Sequence, residues 1–277
     1  MSKKGKRIPP KEGRLVGRRV LNAEPSQDQQ SDWVAETTTS SLPSSVDLRE
    51  AVHKIWSEPY NQGRTGSCVG QTVAKVRHWH ALKEGEVERH NIHYAPSVRF
   101  LWMAPKEFDK WIFYPSTMLQ LAGTYTKDSL DILRKHGCPT NKDLPFRSSG
   151  SMLPPTEFYK RCEAYKIKSY YAVSPWVEGK IKFNEHGMKW WLANEGPIVT
   201  RFDVDDAFMR ANRRTGILRP GSDKHNYGGH ASALVGYDEE SVLLMNSWGT
   251  AWGDRGLLRL SWDWAKENLT ESYGLKV

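Results

Sequence analysis

The sequence predicts an α+β protein in two lobes, with helices first and strands later. Three observations predict it. Apolar residues recur at helical spacing in several segments between Cys68 and about residue 165. Beyond that point the chain breaks into short strand-like runs separated by Gly, Pro and acidic turns. A chain of 277 residues, 38% hydrophobic and 26% charged, is long enough for two packed lobes with a sizeable core.

Taken in order, residues 1 to about 44 read as an extension. "PSQDQQSD" and "ETTTSSLPSS" are polar and poor in apolar residues, so they offer little to bury. The domain proper is expected at 45–277, with a helical lobe over about 45–165 and a β lobe over about 166–277. After Cys68, the spacing of Val69, Val73, Val76 and His80 or Leu82 predicts a helix. "APSVRFLWMAPKEF" and "TKDSLDILRKHG" read as two more. The second has Asp128 or Ser129 as a start signal and Gly137 as a stop. "SYYAV", "GPIVTRFDV", "HASALVGYD", "SVLLMNSW" and "GLLRLSW" then read as strands.

Charge and cysteine content narrow the function classes. The net charge is +8, but the first 19 residues alone carry eight Lys or Arg against one Glu, a net of +7. The rest is nearly balanced, so the charge belongs to a basic arm that could contact an acidic partner or nucleic acid non-specifically. No apolar run approaches the roughly 18 residues of a membrane span, and no apolar stretch follows the basic start as a signal peptide would require. Three cysteines are too few for a disulfide scaffold and point to the cytoplasm or another reducing compartment; whether Cys138 and Cys162 pair is left open. His78 and His80 are two apart on one predicted helix and make a poor metal pair, so neither metal nor cofactor is expected.

Cys68 is the residue that asks for chemistry. It stands where the turn "QGRTG" feeds into a predicted helix, and a helix N-terminus favours a thiolate through its free N–H groups and dipole. Gly63 and Gly66 permit a tight turn and a close approach of substrate backbone. A nucleophile also needs a base held by a third group. "GGHASALVGYDEESVLLMNSWG" supplies both: the two apolar runs read as a hairpin linked by "DEE". His230 begins the first strand and Asn246 ends the second, so the hairpin brings them within about one rung.

"NQGRTGSCVGQT", "GGHASALVGYD" and "NSWGTAWGDRGLLRL" resemble the papain-like cysteine peptidases, and the likeness runs from about residue 42 to the C-terminus. It implies the two-lobed papain-like fold, a helical lobe plus an antiparallel β-barrel-like lobe with a cleft between them. Carried over, Cys68 resembles the nucleophile, His230 the base and acid, Asn246 the orienting residue and Gln62 the oxyanion-hole donor, roles the family illustrates. Trp248 resembles the tryptophan that shields the His–Asn bond. Gly123, Thr124 and Tyr125 resemble the substrate wall, Gly66 and Ser67 the approach to the nucleophile, and Gly229 and Ala231 flank the base.

The departures have consequences of their own. Val69 stands where the family usually has an aromatic residue, Thr65 replaces a disulfide cysteine, and Thr124 follows Gly123 where the family is richer in glycine. Cys68 and His230 lie 162 residues apart, beyond the family's ≈130–150, which implies insertions. The extension is far shorter than the family's helical prodomain and reads as a short prosegment or an anchoring arm. The expected activity is hydrolysis of peptide bonds in a polypeptide substrate. The alternatives are acyl transfer to an amine, or a structural or binding component of a larger assembly on the same fold.

Overall fold

The architecture comes from a computed structural model that describes residues 14–16, 19–27, 29–38, 41–50, 56, 59–83, 95–108, 123–151, 153–222 and 225–277. A short antiparallel pair opens the chain, β1 (Arg14–Val16) and β2 (Arg19–Leu21). The helical lobe is built on α1 (Cys68–Lys83), which α2 (Val98–Phe108) and α3 (Thr126–His136) pack against. α3 ends as its sequence predicts, with the Gly137 N–H bonded back to Leu133 O.

α1 is buried on nearly every side from Cys68 to Ala81, because α2 and α3 cover one flank and the sheet covers the other. That burial takes in polar residues. Trp56 Nε1 donates in to Lys75 O of the helix, while the helix's own Trp79 Nε1 and Arg77 Nε donate out to Leu48 O and Tyr165 O. Two further elements were not legible in the sequence reading: α4 (Pro155–Cys162), entered through Pro155, and α5 (Glu185–Asn194), capped by Asn184. α5 lies in the chain region expected to hold only strands.

An eight-stranded sheet forms the second lobe. Its strands are β3 (Val46–Asp47), β4 (Ser169–Ala172), β7 (Ile198–Asp203), β8 (Ile217–Leu218), β9 (Gly229–Tyr237), β10 (Ser241–Met245), β11 (Leu257–Ser261) and β12 (Leu269–Lys276). A separate small hairpin joins β5 (Trp176–Val177) to β6 (Lys180–Ile181). The order β4-β12-β7-β9-β10-β11-β8, with β3 also on β9, is an open path, so the lobe is barrel-like without closing into a true barrel. β9 and β10 are buried along their whole length, as their unbroken apolar runs require. The Asp238 side chain caps the turn between them by accepting from the Glu240 and Ser241 N–H groups.

Two short helices, α6 (Asp206–Arg210) and α7 (Trp262–Asn268), close the lobe around aromatic side chains. Phe208 sits at the centre, with Phe202, Trp248, Trp252 and Trp264 rings 4.9–5.7 Å away. Asp205 ties this cluster together: one carboxylate oxygen accepts the Phe208 N–H that caps α6, the other accepts Trp264 Nε1–H.

Candidate active site

The site forms where the N-terminus of α1 meets the β9–β10 hairpin. Cys68 is the first residue of α1 and is fully buried. Gly63 takes the turn before it at φ +60°, a conformation glycine adopts without strain. Thr65 Oγ1 and Ser67 Oγ lie 2.8 Å apart across that turn, and Gly66 is buried between them. Ser67 O accepts the Gln71 N–H and so starts the helix immediately at the thiol.

His230 is the second residue of β9, and Asn246 follows the last residue of β10. The register sets Met245 opposite Ala233. His230 Nε2 lies 2.8 Å from Asn246 Oδ1. That oxygen also accepts the Ser247 N–H at 2.8 Å and the Ser232 hydroxyl at 3.2 Å. A backbone N–H can only donate, which fixes Oδ1 as the amide atom facing His230 and puts the proton on Nε2. In the neutral ring Nδ1 is then the nitrogen with a lone pair. Trp248 lies 4.8 Å from the imidazole, centroid to centroid, and Phe202 meets it edge-on at 5.6 Å. Both rings keep water from the His230–Asn246 pair.

The N–H of Ala231, next to His230, reaches the Cys68 thiol, which ties the helix start to β9. Gln62 is held from the same side. Its Oε1 accepts the Ser247 hydroxyl at 2.6 Å, and its N–H bonds Ser247 O at 2.8 Å. Its Nε2 donates to Thr65 O and to Val20 O. Ser247 thereby braces Gln62 and Asn246 at once, a role that the sequence reading missed although the residue sits inside the "NSWG" block it relied on.

The cleft itself is covered by the chain's own N-terminal segment. Between the predicted wall and the base flank lie Asn22 and Ala23, both buried. A Cβ on Gly123 would come within 1.7 Å of Asn22 O, and one on Gly229 within 2.0 Å of Ala23 O, so both glycines are needed for this approach. Ala23 N–H donates to Gly229 O, Arg201 Nε donates to Ala23 O, and Glu24 bridges Tyr125 in parallel. Thr124 and Tyr125 are buried beside this segment. Ser26 then donates its N–H and hydroxyl to the buried Glu271 carboxylate, at 2.6 and 2.8 Å.

Arg201 and Glu271 escaped the sequence reading. The signal was an arginine in the apolar run "IVTRFDV" and a glutamate in "NLTESYGL", each a charge placed on a buried strand. Arg201 also bonds Asp203 and Thr270.

Electrostatics follow from burial. A helix N-terminus should favour thiolate, yet burial pushes the Cys68 thiol up to about 11, outweighing the Ala231 and Val69 N–H groups and the Arg201 charge. In the covered state burial thus offsets the helix-terminus preference for thiolate. Burial likewise raises the Glu271 carboxyl above its ordinary value, against the Ser26 N–H, the Arg201 charge and the Ser26 hydroxyl. Cys138 and Cys162 are buried free thiols, although Cys138 N–H bonds Cys162 O at 2.7 Å.

Comparison with known proteins gives this arrangement a relation. The family described as papain family cysteine protease matches residues 119–274, more than half of the chain; the span holds His230 and Asn246, while Cys68 and Gln62 precede it. An uncharacterized peptidase C1-like protein of Acanthamoeba polyphaga mimivirus is 27% identical over 234 residues, 82% of this chain and 70% of that protein. Papain of Carica papaya is 24% identical over 153 residues, 55% of this chain and 39% of papain as compared. Xylellain, a cysteine protease from Xylella fastidiosa, shares the fold at a TM-score of 0.73 and 21% identity, over 95% of this chain and 98% of its own. Procathepsin B S9 from Trypanosoma congolense does so at 0.67 and 18%, over 91% and 85%. No helix among the described residues is long and apolar enough to cross a membrane. The chain belongs to the papain family of cysteine proteases.

Proposed function

We propose that this chain is an endopeptidase in which Cys68 attacks the substrate carbonyl, His230 moves the proton and Asn246 orients the imidazole, with residues 20–26 covering the cleft until they are displaced. The observation that carries the reading is the His230 Nε2–Asn246 Oδ1 bond, whose geometry leaves Nδ1 as the basic nitrogen. Nδ1 takes the Cys68 proton as sulfur bonds the carbonyl carbon, then returns it to the leaving amine. Water, deprotonated by the same nitrogen, releases the acid from the acyl-enzyme. Gln62 Nε2 and the Cys68 N–H donate to the developing oxyanion, each donor contributing roughly 3 kcal/mol in comparable sites. Val20 O already occupies the reach of Gln62 Nε2, at 3.3 Å, which supports a covered and latent cleft.

Removal of the segment re-solvates Cys68 and restores the helix-terminus preference for thiolate. The three unbridged thiols fit the proposed reducing compartment. The basic start of the chain, largely outside the described residues, is assigned contact with an acidic partner or nucleic acid on its charge alone. The test is labelling of the protein with a thiol-directed epoxide alongside turnover of a fluorogenic peptide. A single label at Cys68 that abolishes turnover supports the reading. Unchanged turnover by Cys68→Ala overturns it.

A further inference from the structure

A cavity of about 480 Å³ adjoins the Gln62 side of the cleft, and its walls include Gln62, Arg64, Arg99, Trp102, Phe146 and Arg147. Among the described residues, none that lines it is acidic. Arg99 and Trp102 stand one helical turn apart on α2, so they share a face. Phe146 packs on Trp102 with ring centroids 6.1 Å apart, and Lys106, a turn further on, holds its ammonium 4.3 Å over the same indole. Among the described residues Arg64, Arg99 and Arg147 form no ion pair, whereas Arg161, Arg201 and Arg259 each reach a carboxylate.

Like charges gathered around a concavity repel one another and raise its affinity for an anion. Burial, and after it the Arg99 charge, push the Lys106 ammonium down to about 7. A guanidinium fork takes a carboxylate through two N–H groups, and the Trp102 and Phe146 rings suit the methylenes of an acidic side chain. Because Gln62 lines the cavity and is also the proposed oxyanion donor, a group bound here lies within about one side-chain length of the carbonyl under attack.

We infer that this cavity is a subsite for an acidic side chain of the polypeptide substrate, within two residues of the bond that is cut, with Arg99 and Arg147 as its specificity-determining residues. The inference rests on the peptidase reading above. A carboxylate there is bound in the ground state and the transition state alike, and the preference weakens as salt screens the exposed Arg147 and half-buried Arg99 guanidiniums.

The test compares kcat/KM of the full chain on paired fluorogenic peptides that differ only by Asp against Asn at each of the two positions on either side of the cut. The expected result is a preference for Asp of about tenfold at one of those positions, the effect of one modest charge-assisted hydrogen bond. Arg99→Gln and Arg147→Gln should each shrink that preference by lowering kcat/KM for the Asp peptide more than for the Asn peptide. Turnover of both peptides at equal rates, or a preference that survives in both variants, overturns the subsite and leaves the peptidase intact. Failure of both the full chain and the uncovered Ser26→Ala variant to turn over any peptide instead strikes the peptidase reading. A second measurement needs no turnover: N-acetyl-aspartate amide should shift the arginine Nε–H resonances assigned to Arg99 and Arg147, and N-acetyl-asparagine amide should not. No shift with either also overturns the subsite.

Discussion

Ser26 gives both of its donors to the buried carboxylate of Glu271, 245 positions away, and this pair fastens the N-terminal segment across the cleft. Around it, Lys127 N–H donates to the Ser26 hydroxyl, while Asp32 pairs with Lys127 and accepts from the Tyr273 hydroxyl. Ser26→Ala removes the hydroxyl's bond to the Glu271 carboxylate, about 1.5–3 kcal/mol, together with the bond it accepts from the Lys127 N–H. The full chain should then turn over a small peptide about tenfold faster. Equal rates in Ser26→Ala and the parent would remove the latency proposal.

Gly123→Ala should act on the same contact from the other wall. The nearest atoms to the added Cβ all belong to Asn22, and the closest is a backbone oxygen that cannot rotate away. The segment has to lift, so iodoacetamide should label Cys68 faster than in the parent at neutral pH. An unchanged labelling rate would mean that the cleft tolerates the methyl and the cover stays down.

The pH dependence of Cys68 has a definite sign. Its thiol sits at about 11 in the covered state against an ordinary value of 9. The covered state thus holds its proton more tightly, is favoured by this group below pH 9, and loses that advantage as pH rises towards 11. Alkylation of the full chain should keep climbing through pH 9–11, and Ser26→Ala should move the midpoint down. A midpoint near 8 in the parent would contradict burial as the controlling cause.

The four site residues should separate kinetically. Cys68→Ala should abolish turnover with the fold intact, and Cys138→Ala and Cys162→Ala should leave activity largely in place. His230→Ala removes the proton acceptor and should cost more than Asn246→Ala, which frees the ring to turn. Gln62→Ala should lower kcat about 10²–10³-fold with little change in KM, since its bond strengthens in the transition state. Equal small losses across the three would argue against these roles.

His78 and His80 should make the fold acid-labile. Burial pushes both imidazoles down to about 3, and His78 Nδ1 and His80 Nε2 have no hydrogen-bond partner among the described residues. Each is depressed below its unfolded value of about 6.5, so the stability it contributes is present above that pH and is lost as pH falls towards 3. The limiting slope is about 1.4 kcal/mol per pH unit for each histidine. Urea midpoints at pH 7 and 4.5 should differ strongly in the parent and less in His78→Gln. A pH-independent midpoint would count against burial of the neutral rings.

The chemistry of this protein is written locally. The turn ahead of Cys68 and the start of α1 follow from glycine and from apolar spacing within a few residues. The His230–Asn246 pair follows from two apolar runs short enough to fold only as a hairpin. Strand and helix periodicity placed α1, α2 and α3 and the strands β4, β7, β9, β10 and β11. It could not place α5, whose "HGMKWWLAN" has a weak apolar stripe because packing against the sheet supplies its burial. Nor could it place β12, which becomes an interior strand through pairing with β4 and β7 across 67 to 107 positions. The same limit applies to what covers and brackets the cleft. Arg201, Glu271, Ser26 and the arginines around Trp102 lie far apart in the chain, and no local pattern links them. Each of these two groups becomes one environment only in the folded chain, because desolvation and charge pairing depend on distance in space and not along the chain.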